Sequence, residues 1–255
     1  MASHGRVADY DSIAAGYDRR YDIHQYAGVR DTLLGFAGEG GAVLEVGCGT
    51  GHWLAMLARA GERVVAGVEP SAEMIARARG AAGARLVRAR AEALPWRDAT
   101  FDRVFCINAL HHFSDRARFF GEARRILRPG GGLLTIGKDP HAERDDWWVY
   151  DYFPETIAID RQRFAHARDL RGELALAGFA WTESFEADRI EATMAASEAL
   201  ATGVVDRAYT SQLTVLSDEE FERGTARIEE ANAAAGGELQ LATDFRLFAT
   251  VAWRD

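Results

Sequence analysis

The chain has 255 residues, 48% of them hydrophobic and 27% charged, an ordinary composition for a protein that buries a full core. Its net charge of -9 excludes the concentrated basic surface that a nucleic-acid partner requires. No apolar run reaches the roughly 18 to 20 residues of a membrane span, and the opening MASHGRVADYDS lacks the basic start and apolar stretch of a secretory signal, so a cytoplasmic location without a membrane partner is expected.

In chain order, YDSIAAGYDRRY sets Tyr10, Ile13, Ala14, Tyr17 and Tyr21 on one face of a helix. A second helix is predicted over Gln25 to Ala37, ending in GEGG, where the strand AVLEV begins. Strand and helix then alternate. HWLAMLARAG reads as a helix stopped at Gly61, RVVAGVE as a strand, and Pro70 with Ser71 opens the helix AEMIARARG. RLVRA and FDRVFCINAL are the third and fourth strands. Ser114 is placed to cap the helix DRARFFGEARRIL, which Pro129 and the following glycines end, and GLLTIGK is the fifth strand. Strands alternating with helices of this length imply right-handed crossovers and a parallel sheet covered on both faces.

After Lys138, the only lysine in the chain, the rhythm changes. DPHAERDDWWVYDYFPE is too aromatic for a solvated linker and too irregular for a strand, which predicts a segment packed over something. DLRGELALAGF reads as a helix stopped at Gly178, FAWTESFEA as a strand, and FRLFATVAW, from Phe245, as the last strand. A mostly helical excursion, Asp188 to Thr243, separates these two strands and is either a cap or a packing insert.

The stretch VLEVGCGTGH holds the most specific signal. Gly47, Gly49 and Gly51 sit between a strand and a helix, where the backbone can pass close to a ligand and helix amides can point at it. A dinucleotide fingerprint starting at Gly47 needs its third glycine where His52 stands, and a phosphate loop needs a lysine that is absent. What remains is an acid followed by three alternating glycines, Glu45-Val46-Gly47-Cys48-Gly49-Thr50-Gly51. Cys48 reads as a small filler between glycines. It and Cys106 form neither a disulfide framework nor a metal-ligand set, so no metal is expected.

This pattern resembles motif I of the class I S-adenosylmethionine-dependent methyltransferases, with further matches in VVAGVEPS, RAEALPWRDATFDRVFCINALHHF and RILRPGGGLLTI. The resemblance is strong over residues 40 to 138, and YDSIAAGYD is similar to the N-terminal helix of the small-molecule branch near the ubiquinone and menaquinone methyltransferases. It implies an α/β Rossmann-like three-layer sandwich whose seven-stranded mixed sheet has its last strand antiparallel. It also implies a single methyltransferase domain over 1–255, comprising an N-terminal helical cap (1–38), a cofactor core (40–138), a substrate-side segment with the sixth strand (139–187), a helical insert (188–243) and the last strand (244–255). The implied cofactor is S-adenosylmethionine, leaving as S-adenosylhomocysteine, and the implied partner is a small-molecule substrate methylated on O, N or C.

The same resemblance places Tyr17, Glu45, Gly47, Cys48, Gly49, Gly51, Glu69, Pro70, Ala91, Glu92 and Asn108 at the cofactor. A carboxylate at Glu69 has a physical rationale, since two acceptor oxygens can take both ribose hydroxyls. One departure stands out: where the branch carries an Asp that accepts from the adenine amino group, this chain has Arg90, which cannot accept, leaving Glu92, the Ala91 amide or a carbonyl as substitutes. His111 and His112 follow the fourth strand at the carboxyl edge of the sheet and are candidate catalytic bases, or else pack against the next helix. Tyr10, Tyr21, His111, Trp147, Trp148 and Tyr150 are candidate substrate contacts, the alternative being a core stripe and a surface aromatic cluster. Two rival functions remain: an S-adenosylmethionine-binding enzyme of another reaction type, and a regulatory protein on the same scaffold.

Overall fold

The computed structural model describes residues 10–61, 64–79 and 84–255. Most of MASHGRVADYDS, the start of RVVAGVE and the end of AEMIARARG lie outside the described residues. The centre is one eight-stranded sheet built from β1 (Ala42–Val46), β2 (Val64–Glu69), β3 (Arg85–Arg88), β4 (Phe101–Ile107), β5 (Leu127–Gly137), β6 (Asp146–Trp147), β7 (Trp181–Ala195) and β8 (Gln240–Trp253). The order is β3-β2-β1-β4-β5-β8-β6, with β7 also paired to β8. The first five strands are parallel, and β8 runs antiparallel to β5, β6 and β7.

Each inner strand is buried on both faces, and side-chain alternation feeds two cores. Val43, Phe105 and Leu134 face one core with Leu33 and Phe36 of the helix Ala27–Ala37 and with Leu54 and Leu57 of the helix His52–Ala60. Leu44, Val104, Cys106 and Leu133 face the other, with Phe119, Phe120, Ala123 and Ile126 of the helix Arg116–Ile126 and Leu174 of the helix Ala167–Leu176. The result is the Rossmann-like mixed α/β sandwich implied by the strand and helix rhythm. β1 is flanked by β2 on one side and β4 on the other, so consecutive crossovers leave in opposite directions and open a crevice at the strands' carboxyl ends.

Several boundaries differ from the sequence pattern. The sheet has eight strands instead of seven because Asp146–Trp147 adds a short strand against β8. The strand read as FAWTESFEA continues to Ala195, past a bulge between Glu186 and Asp188, and β8 starts at Gln240. The excursion between them therefore shrinks from 188–243 to 196–239, because the two strands extend one another by backbone pairing that polar side chains do not reveal. The N-terminal stripe is not one helix but two short ones, Tyr10–Ile13 and Arg19–Ile23, joined by a turn around Gly16 with bonds of the i to i−3 type. The helix predicted from Gln25 begins at Ala27, because Tyr26 is held in the left-handed region at φ 47°. Ser71 caps its helix by accepting from the Met74 amide at 3.1 Å. Ser114 does not cap the next one: Asp115 accepts from the Arg118 amide at 2.9 Å, and Ser114 donates to Glu92.

The excursion packs back through the helix Asp218–Ala234, whose N-terminus carries a reciprocal capping box between Ser217 and Glu220. Gly224 of this helix lies against Phe153, and a Cβ there would meet the Phe153 ring at 2.1 Å. Gly224→Ala is accordingly predicted to lower stability by about 1 to 3 kcal/mol, the cost of overpacking, read as a shift in urea midpoint. An unshifted midpoint would mean that the helix is free to slide off Phe153.

Candidate cofactor and acceptor site

The crevice beside β1 and β4 holds a cavity of about 640 Å³, open solvent at its mouth included, within the range of small-molecule sites. Its floor is the loop after β1. Gly47 and Cys48 both donate their amides to the Val68 carbonyl, at 2.8 and 3.0 Å, which ties the loop to β2. Gly47 sits at φ +76°, and a Cβ there would meet that of Ala109 at 2.5 Å, so conformation and space both demand glycine. Glu69, at the end of β2, accepts the Gly49 amide at 3.0 Å on one oxygen and the Ser71 amide at 2.9 Å on the other. Burial pushes its pKa up while the two amides pull it down.

The N-terminal segment straps this cavity from above. Asp18 accepts from the Thr50 hydroxyl and Asp11 from the Ser71 hydroxyl, each at 2.5 Å, and the Tyr10 hydroxyl pairs with His112. Tyr17 comes to lie over the loop, 3.5 Å from where a Gly49 side chain would start. The break at Gly16 makes this possible by turning the two pieces in different directions. Tyr10 and Tyr17 line the cavity, whereas Tyr21 is carried away to stack on His52 at 3.6 Å and line none of the cavities among the described residues.

Of the other residues proposed for the cofactor, Gly47, Gly49, Glu69, Pro70, Ala91, Glu92 and Asn108 line the same cavity, together with Arg90. Glu45, Cys48 and Gly51 do not. Cys48 is buried with its sulfur directed at Gly67, whose missing Cβ would stand 2.8 Å from it, and burial raises its thiol pKa well above the usual range. Gly51 supplies the left-handed N-cap of the helix His52–Ala60. Glu45 is buried beneath the loop, where it accepts the Leu54 amide and leaves Oε2 without a partner. Burial and the nearby charge of Glu69 hold its pKa well up. Glu92, suggested as a substitute for the adenine contact, has Oε1 occupied by the Ser114 amide and hydroxyl at 2.8 and 2.9 Å.

A second cavity, about 600 Å³ on the same measure, adjoins the first, and Tyr10 and Asn108 belong to the walls of both. Asn108 sits at φ 50°, pinned by its amide to the Ile136 carbonyl at 2.7 Å. Tyr26, the other bulky residue at positive φ in these walls, sits at 47°. Such conformations cost on the order of 1 to 3 kcal/mol and gather where function requires them. His111 and His112 separate here: His112 lines the first cavity, and His111 lines the second, stacked on Phe164 at 3.9 Å. Trp147 lines the second cavity, Trp148 a smaller recess, and Tyr150 lies behind the wall with its hydroxyl donated to Asp160 at 2.8 Å.

Burial dominates the titration of both histidines. It lowers the His112 pKa to about 3 and that of His111 well below the ordinary value, helped by the positive charges of Arg163 and Arg20. Both imidazoles are therefore held in the neutral form. Sequence reasoning missed Arg20, His24, Lys138 and the 209–212 segment in the second cavity. The one available signal was the solitary Lys138 just past the fifth strand.

S-adenosylmethionine carries ribose hydroxyls, an ammonium and a sulfonium. The first cavity offers a carboxylate for hydroxyl donors, a glycine floor that a side chain would obstruct, aromatic rings above and no cation but Arg90 in its walls among the described residues, so its residues fit the group. The fold and this cradle define a Rossmann-like nucleoside-binding protein. The methyltransferase-domain family matches residues 44–135. Demethylmenaquinone methyltransferase of Lactiplantibacillus plantarum is 30% identical over 177 residues, 62% of this chain and 73% of that protein. The malonyl-[acyl-carrier protein] O-methyltransferase of Pectobacterium atrosepticum is 39% identical over 146 residues, 56% of this chain and 57% of its own length. A solved structure from Anabaena variabilis, described as a methyltransferase from an antibiotic biosynthesis pathway, superposes with a TM-score of 0.70 at 23% identity, covering 87% of this chain and 95% of its own. The chain belongs to the class I S-adenosylmethionine-dependent methyltransferase family. It spans between 37% and 57% of the length of three curated relatives that are 35% to 39% identical to it.

The histidine environment predicts a pH dependence. The folded state keeps His112 neutral down to about pH 3, while the unfolded chain takes up its proton below about 6.5. The stability contributed by excluding that proton is therefore complete above pH 6.5 and lost as pH falls toward 3. His112→Asn, which retains an acceptor for Tyr10, is expected to flatten the fall of unfolding free energy between pH 6.5 and 5 relative to the parent. Parallel curves for the two proteins would place a protonated His112 in the folded state.

Proposed function

We propose that this chain transfers the methyl group of S-adenosylmethionine to an O, N or C atom of a small molecule. The observation that supports this most is the adjacency of the two cavities: a cradle suited to the cofactor and an aromatic-walled chamber meet across Tyr10 and Asn108. When bound, S-adenosylmethionine supplies an electrophilic methyl group whose C–S bond electrons return to sulfur as the acceptor lone pair forms the new bond.

The residues then divide by task. Glu69 and the loop amides hold the nucleoside, with Glu45 beneath the loop and Tyr17 above it. Asn108, pinned at positive φ, and Tyr10, fixed by His112, set the approach of the acceptor and keep water from the line of attack. The pairing of His112 with Tyr10 and the stacking of His111 on Phe164 support a positioning role for both rings in this reading. The relatives whose names specify methyl transfer to antibiotics, carrier-bound acids and quinone precursors support a small-molecule acceptor. The net charge of -9 supports an enzyme that does not act on nucleic acid, and in this reading it works in the cytoplasm with residues 1–255 as one domain. Among the described residues no helix is long and apolar enough to cross a membrane.

Calorimetry with S-adenosylhomocysteine tests the cradle. Glu69→Ala should weaken binding by about 1.5 to 3 kcal/mol, the scale of hydrogen bonds to a charged group, whereas Cys48→Ala should change it less than about twofold, since its sulfur faces Gly67 and not the cavity. Equal affinities for the three proteins would sink the assignment. Mass spectrometry of an acceptor panel, with S-adenosylhomocysteine release followed in parallel, tests the reaction. Product formed without that release would point to a different chemistry on the same cofactor, and absence of cofactor binding would point to a regulatory scaffold.

A further inference from the structure

Lys138 leaves β5 directly into the second cavity. It is 8% exposed, and its Nζ stands 3.8 Å from the ring centre of Trp147, 4.4 Å from Phe245 and 4.6 Å from Tyr150. An ammonium has three donors to satisfy, yet Nζ makes no hydrogen bond shorter than its 3.4 Å contact with the Asp145 carboxylate, and beyond that pair only the charge of Asp160 offsets it. Burying a charge with donors unmet is costly unless a further partner completes it.

A second cation shares the cavity wall. Arg20 donates Nε to the Tyr17 carbonyl at 3.0 Å and lies 3.7 Å over the Tyr17 ring. Among the described residues it makes no other hydrogen bond and no ion pair, which leaves its remaining guanidinium donors for a ligand. No Asp or Glu belongs to the walls of this cavity among the described residues. Asp145 lies against Lys138, and Asp160 is tied up with Gln212, Tyr150 and Arg163, so neither confronts the chamber. Burial lowers the pKa of His111 in the same wall, and the neighbouring charges of Arg163 and Arg20 lower it further. The rest of the wall mixes polar side chains, among them His24, Thr210, Ser211 and Gln212, with an aromatic and aliphatic part made by Trp147, Phe164, Phe245 and Leu247.

We infer that the second cavity recognises its acceptor as a carboxylate attached to an apolar body, with the carboxylate held between Lys138 and Arg20 and the apolar part laid against the aromatic walls. The inference rests on the reading of this cavity as the acceptor chamber, and it names the chemical class that the chamber selects. Lysine supplies a point charge, and arginine a planar fork matched to two carboxylate oxygens. A neutral analogue leaves both cations unpaired, which is the condition under which a polar site discriminates most strongly.

The test uses the full chain saturated with S-adenosylhomocysteine. Benzoate, phenylacetate, 3-phenylpropanoate and decanoate are each titrated against the matching primary amide, followed by tryptophan fluorescence, for which Trp147 beside Lys138 is a local reporter. At least one acid should bind tenfold or more tightly than its amide. Lys138→Met and Arg20→Met should each remove tenfold or more of that affinity, and Lys138→Met should leave S-adenosylhomocysteine affinity within twofold. If Lys138→Met does not fold, Arg20→Met, at a half-buried position, carries the comparison. Amides that bind as well as acids, a series in which no acid binds, or charge-removing variants that keep full acid affinity would each overturn the inference. Failure of S-adenosylhomocysteine to bind would overturn the cofactor reading instead, and the same acid and amide titration on the cofactor-free chain then decides the anion site by the same criteria.

Discussion

The Glu69 carboxylate is the constraint on which the rest of the site depends. By accepting one amide from the glycine loop and one from the start of the next helix, it fastens the ends of β1 and β2 to each other. Those two amides have no partner in a regular element, so the carboxylate satisfies backbone donors that a sheet edge leaves orphaned. The same group faces the cavity. A buried acid that is already hydrogen-bonded is pre-set in orientation and loses little freedom when a hydroxyl donor arrives. Everything above it, the Thr50 and Ser71 contacts to the N-terminal strap included, builds on a loop that Glu69 has made rigid.

Tyr10 and Asn108 turn two adjacent hollows into a working pair. One is held by His112 and the other by the hydrogen bond its backbone N–H donates to the Ile136 carbonyl, and each belongs to both cavities. The left-handed conformations of Asn108 and Tyr26 are local costs that the packed sheet and helices sustain. The histidines contribute by being kept neutral in a buried site, where His112 pairs with Tyr10 and adds to the Asp18 and Asp11 contacts that hold the strap.

The methyltransferase-domain match, residues 44–135, spans the glycine loop, Glu69 and Asn108, and the segments that cover them lie outside it. The excursion 196–239 and the aromatic segment after Lys138 enclose a chamber whose walls carry two cations and no carboxylate among the described residues. In a protein of net charge -9, an inward-facing pair of positive groups is a deliberate local reversal of the overall field. The aromatic rings around Lys138 reinforce it, because their faces stabilise the ammonium where water is scarce.

Much of the architecture was legible from residues alone, for local reasons. Near-continuous apolar runs in AVLEV and RVVAGVE, glycines at fixed spacing and Ser71 before its helix are signals carried within a few residues, and the loop, the strands and that cap lie where those signals put them. Where two local solutions compete, the pattern misleads: Ser114 and Asp115 are equally good caps in sequence, and only the distant Glu92 draws Ser114 away. Tyr10, Tyr17 and Tyr21 share a helical spacing, yet the turn at Gly16 sends Tyr21 to His52. The sequence by itself determined the parallel core and a glycine loop that a ligand can approach, since period, turn chemistry and glycine geometry are properties of neighbouring residues, while the antiparallel last strand was implied by the family resemblance. Only the tertiary structure decided the second cavity. Its walls come from segments near residues 10–26, 108–111, 138–164, 209–212 and 245–247, and no local rule brings Lys138 and Arg20 to one cavity; that requires the long-range packing of the whole sheet and its cover.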